Sequence, residues 1–326
     1  MEKVRDKPAQ PLVISEEEVR LNFRNINCRS ASGSDKVSDE ILKLCSDSLI
    51  PVFTQLLHRS FNTGHIPNIW KTCTIIPVPK KRSSSQLNDY RPVALTSVAF
   101  KCAEKIVLKH LRSVTAGRRD PLQFSYLKDR NTEDTILTLL HKLYRHLDRP
   151  KTFAGVLFVD FSSAFNTMQP HLLIEKLLAM EVNPTVISWL YSFLTDRPQQ
   201  VRIGNAVSNV LVINTRAPQG CVLSLVLFTI YTADCRNKEE SNLLIKFTDN
   251  NSLIGLLKTD NTSYRSAVDE LVEWCDQNFL DLNVAKTDEI VIDFRVNKSG
   301  IAPLVFKRKE VRIVGQYSIS WYSHRR

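Results

Sequence analysis

The stretch that decides the fold is LIKFTDNNSLIG, residues 244–255. Apolar residues lead into a short polar segment that contains Asp249 and Asn250, and apolar residues follow it. This pattern predicts a β-hairpin with acidic and amide side chains at its tip. The polar segment is also ordinary turn chemistry, because Asp and Asn side chains bond to the nearby main chain and tolerate left-handed conformations.

A second stretch favours a functional site at the hairpin tip over an ordinary turn. Residues 153–160, FAGVLFVD, have the composition of a buried strand and end in Asp160. Two aspartates at strand ends, Asp160 and Asp249, can converge at one edge of a shared sheet. The two stretches together indicate a candidate metal site.

Composition limits the class of protein. A chain of 326 residues with 43% hydrophobic residues favours a folded protein with a large core, not a disordered one. The formal net charge of +10 favours a polyanionic partner such as nucleic acid, although a merely soluble basic protein can have the same balance. The seven cysteines are scattered and form no Cys-x-x-Cys pair, so neither a disulfide framework nor a zinc site is indicated. No stretch approaches the ~20 apolar residues of a membrane span, and we expect an intracellular protein without membrane contact.

Local patterns place several helices and strands. Ser15 and Ser97 each precede a helical pattern and are expected to cap it. Residues 37–57 predict a pair of helices broken near Pro51. Residues 74–79 alternate with prolines, which predicts an edge strand at best.

Two basic stretches remain open to more than one interpretation. Residues 122–130 mix basic and aromatic side chains, which suits nucleic-acid binding but also suits a packed loop. Lys101, Lys105 and Lys109 follow a helical pattern and are expected to be a solvated face unless they bind phosphates.

Four motifs occur in a specific order. They are YRPVALTS at 90–97, VDFSSAFNT at 159–167, APQGCVLS at 217–224 and LNVAKT at 282–287. With these motifs the chain resembles the reverse transcriptases of vertebrate non-LTR (LINE-type) retrotransposons, from about residue 12 to residue 295.

The resemblance implies an α+β fold, the right-hand polymerase. In it, fingers are joined to a palm whose antiparallel sheet packs on helices, and the thumb is expected to be largely missing. It implies an N-terminal helical extension at 1–60, fingers and palm at 61–299, and a degenerate remnant of the primer grip and thumb at 300–326. We expect a truncated and partly degenerate copy of the domain.

The activity implied by the resemblance is RNA-directed DNA polymerisation. A primer 3′-hydroxyl attacks the α-phosphate of a deoxynucleoside triphosphate, with two Mg²⁺ ions as cofactors. The implied partners are an RNA template, a DNA primer and deoxynucleoside triphosphates.

The resemblance also implies roles for single residues. Asp160, Asp249 and the main-chain carbonyl of Phe161 are expected to hold the metal ions, and Lys286 is expected to protonate the leaving pyrophosphate. The expected substrate-binding residues are Arg91 at the triphosphate, Phe165 at the sugar 2′ position, Phe161, and Gln219 and Gly220 in the nucleotide pocket.

The chain departs from the family pattern at its central hairpin. The family carries two adjacent acids there, whereas this chain carries Asp249 followed by Asn250. Arg216 and Leu225 also stand where the family usually has Gly and Pro. We therefore expect weak or absent polymerase activity, and the alternative is a catalytically inactive, basic RNA- or DNA-binding remnant.

Overall fold

The computed structural model describes residues 12–27, 33, 35–126, 130–162, 164–214, 220–248, 250–296, 302–306 and 308–317. The chain forms two compact units, and each unit combines separate segments of sequence. Unit 1 consists of Met1–Arg118 and Met168–Ile230, and unit 2 consists of Arg119–Thr167 and Tyr231–Arg326. No helix among the described residues is both long enough and apolar enough to cross a membrane.

The described helices are α1 Glu16–Arg24, α2 Asp39–Leu44, α3 Ser46–Thr63, α4 Asn68–Lys71, α5 Val98–Val114, α6 Thr132–Leu147, α7 Ala164–Thr167, α8 Pro170–Ala179, α9 Pro184–Leu194, α10 Ser224–Tyr231 and α11 Thr262–Gln277. The described strands are β1 Cys73–Pro79, β2 Tyr90–Leu95, β3 Phe153–Ser162, β4 Arg197–Ile203, β5 Ala206–Val207, β6 Leu211–Ile213, β7 Asn242–Phe247, β8 Asn250–Leu257, β9 Asp281–Leu282, β10 Asp288–Asp293, β11 Val305–Phe306, β12 Lys309–Glu310 and β13 Arg312–Ile313. The predicted domain division at 1–60, 61–299 and 300–326 stays a prediction.

The predicted helix caps are present, but one predicted helix break is wrong. The hydroxyl oxygens of Ser15 and Ser97 each accept a main-chain N–H bond at 3.2 Å, three residues further on. The break falls at Cys45, between α2 and α3, and α3 continues through Pro51. A proline near a helix start removes one main-chain bond, and the buried side chains on both sides of it stabilise the continuous helix.

Unit 1 contains a sheet of order β2-β1-β4-β5, with β6 also paired to β4. The prediction of β1 as an edge strand is wrong, because β1 pairs with β2 on one side and with β4 on the other. Its parallel partner β4 contacts only Cys73–Ile75, so Pro77 and Pro79 lie where β1 has a single neighbour. The missing proline N–H groups therefore do not interrupt a second ladder.

Aromatic rings form much of the interior of unit 1. Trp189 of α9 stacks on Phe61 of α3 with ring centroids 4.7 Å apart, and Phe100 of α5 lies 5.7 Å from Trp70. The Trp189 indole N–H donates to the Ser60 hydroxyl at 3.0 Å, so its polar atom is satisfied inside the core.

Unit 2 contains the sheet that the deciding stretch predicts. Its order is β13-β10-β3-β8-β7, with β9 paired to the end of β3. The predicted hairpin is β7–β8, and the predicted buried strand is β3 in the centre of the sheet. β3 runs past Asp160 to Ser162 because β9 supplies partners for Phe161 and Ser162.

Helices cover both faces of the unit 2 sheet. On one face, Leu139 and Leu143 of α6 belong to the same buried cluster as Val156 of β3. On the other face, the Tyr264 ring of α11 lies over Gly155 and Gly255, which are direct cross-strand partners. In this sheet β10, β3, β8 and β7 are antiparallel and only the short β13 pairs in parallel, with β10. Helices packed on a mainly antiparallel sheet confirm the predicted α+β class.

The loop after residue 119 is a packed loop in its described part. Phe124 is buried in the core cluster of unit 2, and the Arg130 guanidinium lies 4.7 Å from its ring centroid. Residues 127–129 lie outside the described residues.

Candidate active site

Asp160 lies near the end of β3, on the face of the sheet that carries Phe158. Its direct cross-strand partner is Asn250, the first residue of β8. Asp160 Oδ2 lies 2.9 Å from Lys286 Nζ, and the exposed fractions of the two side chains are 16% and 69%. Lys286 ends a 3₁₀ turn at Val284–Lys286, and the Asn283 N–H before this turn donates to the Asp160 carbonyl at 2.9 Å. The structure therefore brings Asp160, Asn250 and Lys286 together.

Further charged and aromatic groups surround this end of the sheet. Arg312 makes two bonds to the Asp288 carboxylate at 2.8 and 2.9 Å, and Asp288 is the cross-strand partner of Phe158. The Tyr317 ring stacks on Phe158 with a centroid distance of 4.0 Å. Burial raises the pKa of Tyr317, and the carboxylates of Asp288 and Asp160 raise it further. Sequence reasoning missed Tyr317, because no local pattern marks a contact so distant along the chain.

Asp249 lies outside the described residues, so its predicted position beside Asp160 stays a prediction. The residue before it, Thr248, has a positive φ of 58°. The Thr248 N–H donates to the Ser125 hydroxyl at 2.9 Å, which attaches the hairpin to the loop after residue 119. Asn250, on the other side, is half-buried.

A buried ion pair fixes the strand that leads into the hairpin. Lys246 Nζ lies 2.6 Å from Asp120 Oδ2, and the exposed fractions of these side chains are 2% and 6%. The same ammonium donates to the carbonyls of Thr232 and Cys235 at 2.6 and 2.9 Å. Main-chain bonds join Lys246 to Leu122 and Phe124, each at 2.9 Å. The sequence signal for this pair was available, since Lys246 interrupts an otherwise apolar strand.

The two predicted aromatic residues lie next to Asp160 in sequence. The Phe161 side chain is buried among Leu244, Leu271 and neighbouring residues, so only its main chain can face a ligand. Phe165 lies in the short helix α7 and is half-buried.

The remaining predicted residues belong to unit 1. Arg91 is exposed on β2. Gly220 has a φ of 113° and lies against the same strand, because a Cβ at Gly220 would be 2.9 Å from the Ala94 carbonyl oxygen. Only glycine accepts both this conformation and this approach. Gln219 lies outside the described residues.

The donor atoms near Asp160 are oxygens, which are the ligands that a hard divalent cation binds. Mg²⁺ requires oxygen ligands, and the Asp160 carboxylate, the Phe161 carbonyl and the Asn250 amide offer oxygens. Within the described part of the chain, no group of three His, Cys, Asp or Glu side chains could hold a metal ion. Asn250 supplies an oxygen without a negative charge.

Comparison with known proteins identifies the family. The family model described as "Reverse transcriptase (RNA-dependent DNA polymerase)" matches residues 78–317. The chain belongs to the reverse transcriptase family. The matched residues 78–317 include Asp160, Gly220, the β7–β8 hairpin and Lys286.

Curated relatives of this reverse transcriptase come from transposons. It is 25% identical over 299 residues to the probable RNA-directed DNA polymerase from transposon BS of Drosophila melanogaster, covering 86% of this chain and 32% of that protein. It is 25% identical over 279 residues to the RNA-directed DNA polymerase from mobile element jockey of Drosophila funebris, covering 82% and 30%. It is also 24% identical over 229 residues to the transposon TX1 uncharacterized 149 kDa protein of Xenopus laevis, covering 70% and 17%. The predicted resemblance to LINE-type reverse transcriptases is confirmed, and the chain spans about a third or less of these relatives.

A solved structure supports the fold. The telomerase of Candida tropicalis, in complex with a TWJ fragment of telomeric RNA, matches 84% of this chain and 47% of its own with a TM-score of 0.54 and 12% identity. At this identity the likeness shows the fold alone. The predicted fingers-and-palm fold of a reverse transcriptase is confirmed.

Proposed function

We propose that this reverse transcriptase domain catalyses RNA-directed DNA synthesis. The primer 3′-hydroxyl oxygen forms a bond to the α-phosphorus of a deoxynucleoside triphosphate, the bond from that phosphorus to pyrophosphate breaks, and the hydroxyl proton passes to solvent. The observation that carries this proposal is the end of the unit 2 sheet, where Asp160 lies beside Lys286 and opposite Asn250. The proposed partners are an RNA template, a DNA primer and deoxynucleoside triphosphates. Because these partners occur inside cells, we also propose that the protein acts there.

Asp160, Asp249 and the main-chain carbonyl of Phe161 are the proposed ligands of two Mg²⁺ ions. When bound, such ions lower the pKa of the primer hydroxyl and neutralise charge on the leaving pyrophosphate. The oxygen donors near Asp160 support this assignment, because Mg²⁺ takes oxygen ligands. The Lys286 side chain is mostly exposed, and Lys286 is the proposed donor of a proton to pyrophosphate.

Substrate binding is assigned to residues that the family pattern marks. Arg91 presents an exposed guanidinium, which can bind triphosphate oxygens in a bidentate manner. Gln219 and Gly220 are proposed to line the nucleotide pocket, and the close approach of Gly220 to the main chain of Ala94 fixes the position of Gly220 against β2. Phe165 is proposed to contact the sugar at its 2′ position and so to exclude ribonucleotides.

Asn250 makes this a weak polymerase in our proposal. It stands directly opposite Asp160 in the register and contributes no negative charge to the site. The cations are then held by fewer protein carboxylates than the family pattern provides.

Single-turnover primer extension tests the proposed function. A labelled DNA primer on an RNA template, with Mg²⁺ and four deoxynucleoside triphosphates, is expected to be extended slowly by the natural chain and not by Asp160→Asn. Asp269→Asn is the matched control, since Asp269 is exposed on α11. Salt-sensitive binding of the primer-template without any extension would favour the inactive binding remnant instead.

A further inference from the structure

The segment 220–223 lies between two anchors inside unit 1. On one side, Gly220 approaches the main chain of Ala94 so closely that a Cβ would lie 2.9 Å from the Ala94 oxygen. On the other side, the main-chain N–H of Leu223 donates to Glu104 Oε2 of α5 at 3.1 Å. The Val222 N–H lies close enough to this carboxyl group to favour its ionised form. The Glu104 side chain therefore attaches the segment to α5.

Glu104 is an unusual anchor because it is completely buried, with an exposed fraction of 0%. Its second oxygen, Oε1, is buried and has no hydrogen-bond partner among the described residues. A buried carboxylate without full hydrogen bonding is costly, and a carboxyl group in this position tends to keep its proton. Burial raises the pKa of Glu104 to about 7, against the opposing effects of its main-chain bonds and of nearby cations.

Charged and titratable groups face Glu104 from each neighbouring element. Arg197 of β4 and Lys101 of α5 are the cations, and both favour ionisation. The thiols are Cys221 of the segment, Cys102 of α5 and, close to Cys221, Cys73 of β1. Burial raises the pKa of each of these three thiols, so they stay neutral near pH 7 while Glu104 changes its charge.

We propose that Glu104 is a positioning residue for segment 220–223 and acts as a pH-dependent latch. The uncharged carboxyl group keeps the segment closed on α5. When Glu104 loses its proton to solvent, the carboxylate gains hydration if the segment moves away, because burial outweighs the bonds that the segment donates. Ionisation therefore favours the open segment.

Amide hydrogen exchange measures this opening without any need for polymerase activity. In the natural chain, exchange at Val222 and Leu223, corrected for intrinsic rates, is expected to rise about tenfold between pH 6 and pH 8. In Glu104→Gln, which keeps an acceptor oxygen but cannot ionise, the corrected exchange is expected to stay constant. Glu289→Gln is the matched control, because Glu289 is a buried glutamate of unit 2, and it should keep the full pH dependence.

The natural chain supplies an internal check if Glu104→Gln does not fold. Val222 and Leu223 should exchange faster than Val107 and Leu111 of α5 at every pH in this range, because the segment opens without unfolding of the helix. Corrected exchange at Val222 and Leu223 that is independent of pH, or that equals the exchange of the α5 amides at every pH, would overturn the proposal. An unchanged rise in folded Glu104→Gln would also overturn it.

One consequence rests on the proposed function, namely that segment 220–223 forms part of the nucleotide pocket. For a chain that extends a primer, the KM for deoxynucleoside triphosphates should then rise between pH 6 and pH 8 and stay level in Glu104→Gln. The exchange experiment detects a failure of the latch, whereas pH-dependent exchange with an unaffected KM would count against the role of the segment in nucleotide binding.

Discussion

Asn250 is the residue at which this chain departs most clearly from the charge that the proposed two-metal chemistry requires. At an effective dielectric of ~20, a unit charge at ~4 Å is worth about 4 kcal/mol per unit of cation charge before desolvation. A loss of about 3 kcal/mol in transition-state stabilisation slows a reaction roughly a hundredfold. We predict that Asn250→Asp raises the single-turnover extension rate by about ten- to a hundredfold and lowers the Mg²⁺ concentration needed for half the maximal rate.

The control for this change is Asn205→Asp, which adds the same charge at an exposed turn of unit 1. It should leave both quantities unchanged. Equal extension rates from the natural chain and from Asn250→Asp, both active, would refute the charge argument.

Lys246 matters for a different reason, because it neutralises a carboxylate inside the protein. Lys246→Met would leave Asp120 buried without its close cation. We predict a fall of about 3–5 kcal/mol in the free energy of unfolding, measured by urea denaturation followed by circular dichroism. The double variant Lys246→Met with Asp120→Leu removes both charges and should recover most of this loss. A cost below about 1 kcal/mol for the single variant would show that the pair is not buried as described.

Among the elements, the pair of strands β3 and β8 depends on two glycines that accept an aromatic ring. A Cβ at Gly255 would lie 2.5 Å from the Tyr264 ring. We predict that Gly255→Ala lowers the free energy of unfolding by about 1–3 kcal/mol, because the ring or the strand must move. Gly117→Ala is the control, since a Cβ there meets nothing within 4 Å.

The loss should be smaller when Tyr264 is already replaced by Leu, since the clash is then removed. Urea denaturation of the two single variants and the double variant tests this coupling. If the losses in the free energy of unfolding of the two single variants simply add in the double variant, the effect of Gly255→Ala does not come from a clash with the Tyr264 ring.

Elements with a local cause could be predicted from the sequence. The β7–β8 hairpin follows from alternation and turn residues, and the caps at Ser15 and Ser97 follow from one side chain each. The errors at β1 and at Pro51 have a different origin. Both depend on partners distant in sequence, namely the short reach of β4 along β1 and the packing around α3.

The candidate site was predictable to a similar extent. A strand that ends in an acid marked Asp160, and the family pattern marked Lys286, which the structure places beside it. Tyr317 could not be found, because its position depends on the path of the chain after β13. Glu104 had a usable signal that was missed, since helical spacing puts it in the same row as the buried Phe100, Val107 and Leu111.

For the whole molecule, Glu104 predicts a specific dependence of stability on pH. Its pKa is raised from an ordinary value of 4.5 to about 7 in the folded protein. Between these values the folded chain keeps a proton that the unfolded chain releases, so the free energy of unfolding falls as pH rises. The contribution of Glu104 is fully present below pH 4.5 and is lost as pH passes 7, with a total of about 3 kcal/mol.

Urea denaturation of the natural chain and of Glu104→Gln across this pH range isolates the effect. The two proteins should approach one another in stability at pH 5, and the glutamine variant should be more stable by about 3 kcal/mol at pH 8. Parallel stability curves would contradict the raised pKa of Glu104.

The central claim is that the end of the unit 2 sheet at Asp160 binds the divalent ion that polymerisation uses. Mn²⁺ is a spectroscopic substitute for Mg²⁺, and its binding to the whole chain can be titrated by electron paramagnetic resonance without primer, template or turnover. The account predicts that Asp160→Asn weakens Mn²⁺ binding by at least about tenfold, since one carboxylate ligand is lost, while Asp269→Asn binds as the natural chain does. Equal Mn²⁺ affinity in the natural chain and in Asp160→Asn would contradict it.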